Sequence, residues 1–226
     1  MESEPVVFIV DDDASVRKSL ERLVRSVGLR GETFASASEF LQRAAANSPS
    51  CLVLDVRMPE VSGLALQEKL AAAGPRIPII FISGHGDITV SVRAMKAGAV
   101  DFLPKPFNDQ DLLEAIQQAI ARDRQAREKW AVLQDIQRRV ALLTPRERDV
   151  LALVTTGLLN KQIAAELGMS EKTVKAHRAQ VMQKMQVSSV AQLVLLAAKV
   201  GLTAPQGLSP LAQSPISRAF ANKFSI

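Results

Sequence analysis

The stretch Cys51-Leu52-Val53-Leu54-Asp55 constrains this chain most: four residues of apolar character run into one acid, and Pro59 follows four positions on. A short apolar run bounded by a turn signal fits a strand buried on both faces, as in a parallel sheet. Asp55 then stands at the carboxyl end of that strand, the edge at which open α/β sheets hold ligands. Three other apolar runs end at chemically capable residues. Phe8-Ile9-Val10 meets Asp11-Asp12-Asp13, the run 79–82 meets Ser83-Gly84, and the run 100–103 meets Pro104-Lys105-Pro106. An isolated acid of this kind is more often a helix cap or turn former, and Asp13 reads as a cap. An acid cluster, an acid, a hydroxyl and a lysine at the ends of one sheet's strands make a site.

The chain has 226 residues, 47% of them hydrophobic, enough for one large domain or two ordinary ones. A single cysteine excludes an internal disulfide framework and fits a reducing cytosol, with Cys51 as a packing residue. No apolar run approaches the ~18 residues of a membrane span. The acidic start Met1-Glu2-Ser3-Glu4 runs into a strand and is not a signal peptide. A cytoplasmic protein without a membrane partner is expected. Residues 1–120 hold 12 Lys/Arg against 16 Asp/Glu, whereas residues 121–226 hold 16 against 7. A basic half beside an acidic half suggests an anionic partner for the second, nucleic acid above all, or else a solvated basic surface.

Within residues 1–120 the strands alternate with helical patterns. Helices are expected over 14–27 (Val16, Leu20, Leu23, Val24 and Val27 inward), 36–46 (with Phe40 and Leu41), 62–73, 87–97 and from Asp109. Five βα units imply a parallel sheet with helices on both faces, in the flavodoxin-like order 2-1-3-4-5. Asp11, Asp12 and Asp55 would bring carboxylates together, and hard oxygen ligands with room for water suit Mg²⁺. Asp12 and Asp55 are expected as direct ligands, Asp11 directly or through water, with the backbone carbonyl of Arg57 completing the set. Asp55 is also the candidate nucleophile, able to accept a phosphoryl group as an aspartyl phosphate. Lys105 supplies a fixed cation for the transferring oxygens and Ser83 a hydroxyl to bond one of them. A cis Lys105–Pro106 bond is compatible with this segment.

These residues resemble the receiver domain of two-component response regulators. The likeness rests on Asp11-Asp12, Asp55, Met58-Pro59 with Ser62-Gly63, Ser83-Gly84 and Lys105-Pro106-Phe107, and covers residues 5–120. The run His85-Gly86-Asp87 with Ala94-Met95-Lys96-Ala97-Gly98-Ala99 is similar to the FixJ branch. The resemblance implies phosphorylation of Asp55 by a partner histidine kinase with Mg²⁺. It also implies a switch in which Ser83 moves toward the phosphoryl group and Phe102 turns into the vacated space, by a steric coupling because Phe102 lacks a hydroxyl.

Residues 121–142 lack Gly and Pro and alternate charge, which favours a solvated helix continuing the previous one. Leu133, Ile136, Val140 and Leu143 follow helical spacing, and Trp130 is expected to pack between the domains. Thr144-Pro145-Arg146-Glu147 is a helix start with a cap, a proline and an acid. Asn160 is read as capping a second helix closed by Gly168, Ser170 a third over 171–185, and Ser188 or Ser189 a fourth. Two helices joined by Gly168-Met169-Ser170 form a helix-turn-helix. On the third, Val174, Val181 and Met185 face inward. Lys172, Lys175, Ala176, Ala179, Gln180 and Gln183 are left outside, where lysine meets phosphate, small residues admit the groove and glutamine bonds base edges. His177 reads as structural.

Leu143-Thr144-Pro145-Arg146-Glu147-Arg148, Asn160-Lys161-Gln162-Ile163-Ala164 and the run from Ser170 to His177 resemble the LuxR-type DNA-binding domain. The resemblance implies that the third helix reads the major groove, with Lys161, Thr173 and Lys175 near phosphates or bases, and that the fourth mediates dimers. The expected organisation is a receiver over 1–120, a helical linker over 121–142, an all-α four-helix helix-turn-helix domain over 143–203 and a disordered tail over 204–226. The expected protein is a response regulator of the NarL/FixJ type. It binds double-stranded promoter DNA and pairs as a homodimer when phosphorylated or DNA-bound. It is no enzyme beyond gaining and losing the Asp55 phosphoryl group. Two rivals remain at this point: a phosphatase working through an aspartyl phosphate, and a DNA-binding protein whose receiver only dimerises.

Overall fold

The computed structural model describes residues 4–43, 48–73, 77–84 and 88–202, and the chain divides into two compact units, Met1–Lys129 and Trp130–Ile226. His85, Asp87 and the tail 204–226 lie outside the described residues. No helix among those described is long and apolar enough to cross a membrane.

The first unit runs β1 (Val6–Val10), α1 (Ala14–Ser26), β2 (Arg30–Phe34), α2 (Ala37–Gln42), β3 (Ser50–Asp55), α3 (Gly63–Ala73), β4 (Ile79–Ser83), α4 (Ile88–Lys96) and β5 (Asp101–Pro104), then enters α5 (Asp109–Ala141). The strands form one parallel flavodoxin-like sheet in the order β2-β1-β3-β4-β5, as expected. Every residue of β1, β3 and β4 is buried, which is why these strands read as continuous apolar runs. The pleat sends alternate residues to opposite faces. Phe8, Val10, Leu52, Leu54 and Phe81 therefore join Phe40, Leu66 and Ala94 of α2, α3 and α4. Val7, Ile9, Val53, Ile80 and Ile82 join Leu20 and Val24 of α1 and Leu112 and Ile116 of α5. Each large side chain so buried contributes roughly 1.5–3 kcal/mol.

Local differences from expectation have physical causes. Helix α1 ends at Ser26, and its cap Val27 is 45% exposed, because Gly28 takes a left-handed φ of 76°. Leu41 is exposed while Phe40 fills the core. The Lys105–Pro106 bond is cis.

The second unit contains the end of α5 and α6 (Pro145–Thr155), α7 (Asn160–Leu167), α8 (Glu171–Lys184) and α9 (Val190–Lys199). Thr144 and Glu147 form a complete capping box on α6, and Ser170 and Ser189 accept the first-turn amides of α8 and α9. Asn160 is not a cap: the N-cap of α7 is Leu159, and Asn160 Oδ1 instead accepts a 2.6 Å bond from Arg178 of α8. Gly168, with φ 63°, turns the chain between α7 and α8.

Helix α5 is continuous through the charged segment, as expected, but that segment is not uniformly solvated. Asp123 is buried, taking the Ser50 amide at 2.7 Å and the Arg127 Nε at 2.6 Å. Ile136, Val140 and Leu143 belong to the core of the second unit with Val150, Val174, Val181 and Met185. Trp130 is 54% exposed.

Candidate functional site

The strand register assembles the first site. Val10 pairs with Leu54, Asp55 with Ile82 and Ser83 with Pro104. Asp11, Asp55, Ser83 and Lys105 consequently leave the sheet at one edge. Asp11, Asp55 and Ser83 are all at least nine-tenths buried. Lys105 Nζ bridges the two acids, 2.7 Å from Asp11 Oδ2 and 2.8 Å from Asp55 Oδ1. The remaining oxygens are held by backbone: Asp11 Oδ1 accepts the Asp13 amide at 2.8 Å, and Asp55 Oδ2 the Arg57 amide at 2.7 Å. The Lys105 amide donates to the Ser83 carbonyl at 2.7 Å, which ties the lysine's backbone to the hydroxyl residue.

Burial pushes the Asp55 carboxyl above its ordinary value; Asp11 adds to the effect and the Lys105 bond opposes it. Burial works against the Lys105 charge as well, but its bonds to both carboxylates outweigh that and hold it above the ordinary lysine range. The edge thus carries two carboxylates for one buried-facing ammonium.

Asp11 and Asp55 share Lys105, and Asp12 follows Asp11 directly after β1. Asp12 is exposed, and among the described residues no three acidic, histidine or cysteine side chains are grouped to hold a metal ion. The donor set nevertheless fits a hard cation. It is all oxygen, and the Asp55 charge is disfavoured by Asp11, which an added cation would relieve.

Two supporting residues, Arg17 and Gly63, had no role assigned from the sequence. Arg17 Nη1 donates to the carbonyls of Asp11 at 2.7 Å and Asp12 at 2.9 Å, fixing the loop that carries both acids. Nothing in spacing marks it among the other arginines of α1. Gly63 packs so closely that a Cβ there would lie 2.4 Å from the Asp55 carbonyl oxygen, so the start of α3 touches the end of β3. Phe102 is partly buried against the core, its ring centroid 6.3 Å from that of Phe81.

The second site is the outer face of α7 and α8. Lys161, Lys172, Thr173, Lys175, Ala176, Ala179, Gln180 and Gln183 are all exposed, and Val174, Val181 and Met185 are buried. His177 is half-buried, as a structural residue should be. Helix α8 is fixed at its amino end by Ser170 and through Arg178 to Asn160. Near its carboxyl end Lys184 Nζ sits 2.7 Å from the buried Glu147. Burial opposes the Glu147 charge, but Lys184 and the Thr144 bonds prevail and hold its carboxyl below the ordinary value.

Comparison with known proteins agrees with this geometry. The model of the response regulator receiver domain matches residues 7–117, and that of the bacterial regulatory proteins of the luxR family matches residues 141–197. Nodulation protein W of Bradyrhizobium diazoefficiens is 52% identical over 202 residues, covering 89% of each chain. Transcriptional regulatory protein FixJ of the same organism is 44% identical over 87% of this chain and 96% of its own. The solved structure of the response regulator StyR is 51% identical, covers 87% of this chain and 100% of its own, and superposes with a TM-score of 0.79. A receiver followed by a LuxR-type DNA-binding domain, at this identity and over almost the whole length, decides the family: the chain belongs to the NarL/FixJ-type response regulators, the transcriptional regulators of two-component systems.

Proposed function

We propose that the protein is a cytoplasmic transcription factor switched by phosphorylation of Asp55. The observation that carries this reading is the Lys105 ammonium bridging two buried carboxylates at the strand ends, one of them with its charge disfavoured. An Asp55 oxygen attacks the phosphorus of a histidine kinase's phosphohistidine. The O–P bond forms, the P–N bond breaks, and the imidazole leaves and takes up a proton. Lys105 neutralises charge on the transferring oxygens, and Ser83 bonds one of them. Asp11, Asp12, Asp55 and the Arg57 carbonyl would hold Mg²⁺, which supplies further positive charge at those oxygens. The phosphoryl group is later lost to water at the same site.

The switch runs through Ser83 and Phe102: Ser83 moves toward the phosphoryl group and Phe102 fills the space it leaves. A shift from 1:99 to 99:1 requires about 5.5 kcal/mol of preference for the active state. Helix α8 reads the major groove of double-stranded promoter DNA. Lys161, Lys172, Thr173 and Lys175 serve phosphates or bases, Ala176 and Ala179 allow close approach, and Gln180 and Gln183 face base edges. The phosphorylated or DNA-bound form is a homodimer. The functional division is a receiver over 1–120, a linker over 121–142 and a DNA-binding domain over 143–203.

The test is incubation with Mg²⁺ and acetyl phosphate, followed by mass measurement, beside Asp55→Asn. A gain of one phosphoryl group that needs both Asp55 and Mg²⁺, with tighter DNA binding, is expected. No gain in the wild type, with DNA binding unchanged, would sink the phosphoryl-switch reading.

A further inference from the structure

The segment that ends α5 precedes the 141–197 match to the LuxR-type model, yet it is built into the second unit. Ile136 and Val140 are 2% and 4% exposed and share a core with Val174, Val181 and Met185 of α8 and its cap. Between them stands Arg139, 24% exposed. Its Nη1 donates to the Met185 carbonyl at 3.0 Å, and its Nη2 pairs with Asp135 one turn earlier. Met185 is the C-cap of α8. Beyond it Gln186 adopts a left-handed φ of 55°, and its amide and that of Val187 return to the carbonyls of Gln183 and Met182, both at 3.1 Å. Those carbonyls are satisfied by the chain itself, in the manner of a Schellman turn. The Met185 carbonyl is satisfied from α5, by a cation at the negative end of the helix.

We propose that Arg139 is a positioning residue for α8, so that the last turns of α5 are part of the DNA-reading unit rather than a connection to it. The inference rests on the reading of α8 as the recognition helix. Base-edge bonds demand side chains held to within about 0.5 Å, so a helix must be braced at both ends to read sequence. Ser170 caps the amino end of α8, and Arg178 at its middle ties it to Asn160 of α7. Glu147 through Lys184 and Arg139 through Met185 brace the carboxyl end from two different helices. Phosphate contacts tolerate more play than base contacts. Loss of the Arg139 brace therefore degrades discrimination between sequences more than total affinity.

The experiment uses the full chain and a duplex selected by the wild-type protein from a random pool. Affinities for that duplex and for a scrambled duplex are measured for Arg139→Ala, Arg139→Lys, Asp135→Ala and Gln180→Ala, with thermal midpoints. Arg139→Ala is expected to lower the specific-to-scrambled ratio by on the order of tenfold, the size of one lost base contact. Arg139→Lys restores part of the ratio, because a single donor meets the carbonyl. Asp135→Ala lowers it less, since it frees the guanidinium without removing it. A partly unfolded variant loses both affinities in proportion and leaves the ratio intact. An unchanged ratio in Arg139→Ala therefore overturns the inference whether or not stability falls. If Gln180→Ala erodes the ratio and Arg139→Ala does not, only this inference fails. If Gln180→Ala leaves it unchanged, α8 is not the reader and the parent reading fails.

Discussion

The two units each hold a buried carboxylate against a lysine at nearly the same distance, and the two pairs are opposites. Asp55 meets Lys105 at 2.8 Å, and Glu147 meets Lys184 at 2.7 Å. Burial raises the Asp55 carboxyl, with Asp11 adding a second negative charge to share the one lysine. Glu147 has Lys184 with no second acid paired to that lysine among the described residues, and also takes the Thr144 amide at 2.7 Å, so its charge is favoured. Distance to the partner therefore does not decide the character of a buried acid; burial, weighed against the charges and donors around it, does. The first arrangement is under-neutralised and suited to taking up a cation and a phosphoryl group. The second is satisfied and suited to holding helices together.

Substitutions in each unit can break this contrast. The largest effect is expected from Gly63→Ala. Its Cβ would lie 2.4 Å from a backbone oxygen of Asp55, which cannot yield as a side-chain tip could. A loss of about 3 kcal/mol is expected in the calorimetric unfolding of the first unit, together with impaired phosphoryl uptake. Glu147→Gln comes next. Removing one partner of a buried pair costs up to about 5 kcal/mol; Lys184 is 29% exposed, so solvent recovers part of its charge. About 2 kcal/mol is expected, confined to the second unit. Asp55→Asn should have the opposite sign, since it removes a disfavoured charge while Lys105 keeps Asp11. A gain of about 1 kcal/mol in the first unit is expected, bought by loss of the phosphoryl acceptor. A loss of stability in Asp55→Asn matching that in Glu147→Gln would erase the distinction between the pairs.

Sequence made one side of this contrast far more legible than the other. The strand-end residues stand beside apolar runs, and a parallel register converts those positions into one edge, so Asp11, Asp55, Ser83 and Lys105 could be named together. Caps were similarly local: Thr144 with Glu147, Ser170 and Ser189 act within three residues of themselves. Asn160 misled because its side chain serves Arg178, 18 residues away. Asp123, Arg139 and Lys184 were hidden for the same reason. Each is a charged residue on a helix surface until a distant group pairs with it: Ser50 with Asp123, Met185 with Arg139 and Glu147 with Lys184. Periodicity reports which face of a helix is apolar, not which charged side chain finds a partner across the core.

The smallest expected effect is also the most specific to Glu147. Its folded carboxyl titrates below its ordinary value of 4.5, so the unfolded state takes up the proton first as acid is added. Its stabilising contribution is complete above that ordinary value and is lost as pH falls through the depressed folded value. The loss cannot exceed about 1.4 kcal/mol per pH unit for one proton, and between pH 5 and 4 it amounts to under about 1 kcal/mol. The measurement is urea unfolding followed by Trp130 fluorescence, since the one tryptophan of the chain lies in the second unit. The wild type should approach Glu147→Gln in stability as pH falls, because protonated Glu147 resembles the glutamine in lacking the charge that holds Lys184. Curves that stay parallel down through the carboxylate range would mean that Glu147 contributes by shape and hydrogen bonding alone. The ion pair would then be an ornament of the capping box, and the two lysine–carboxylate pairs would differ in surroundings but not in what their charges do.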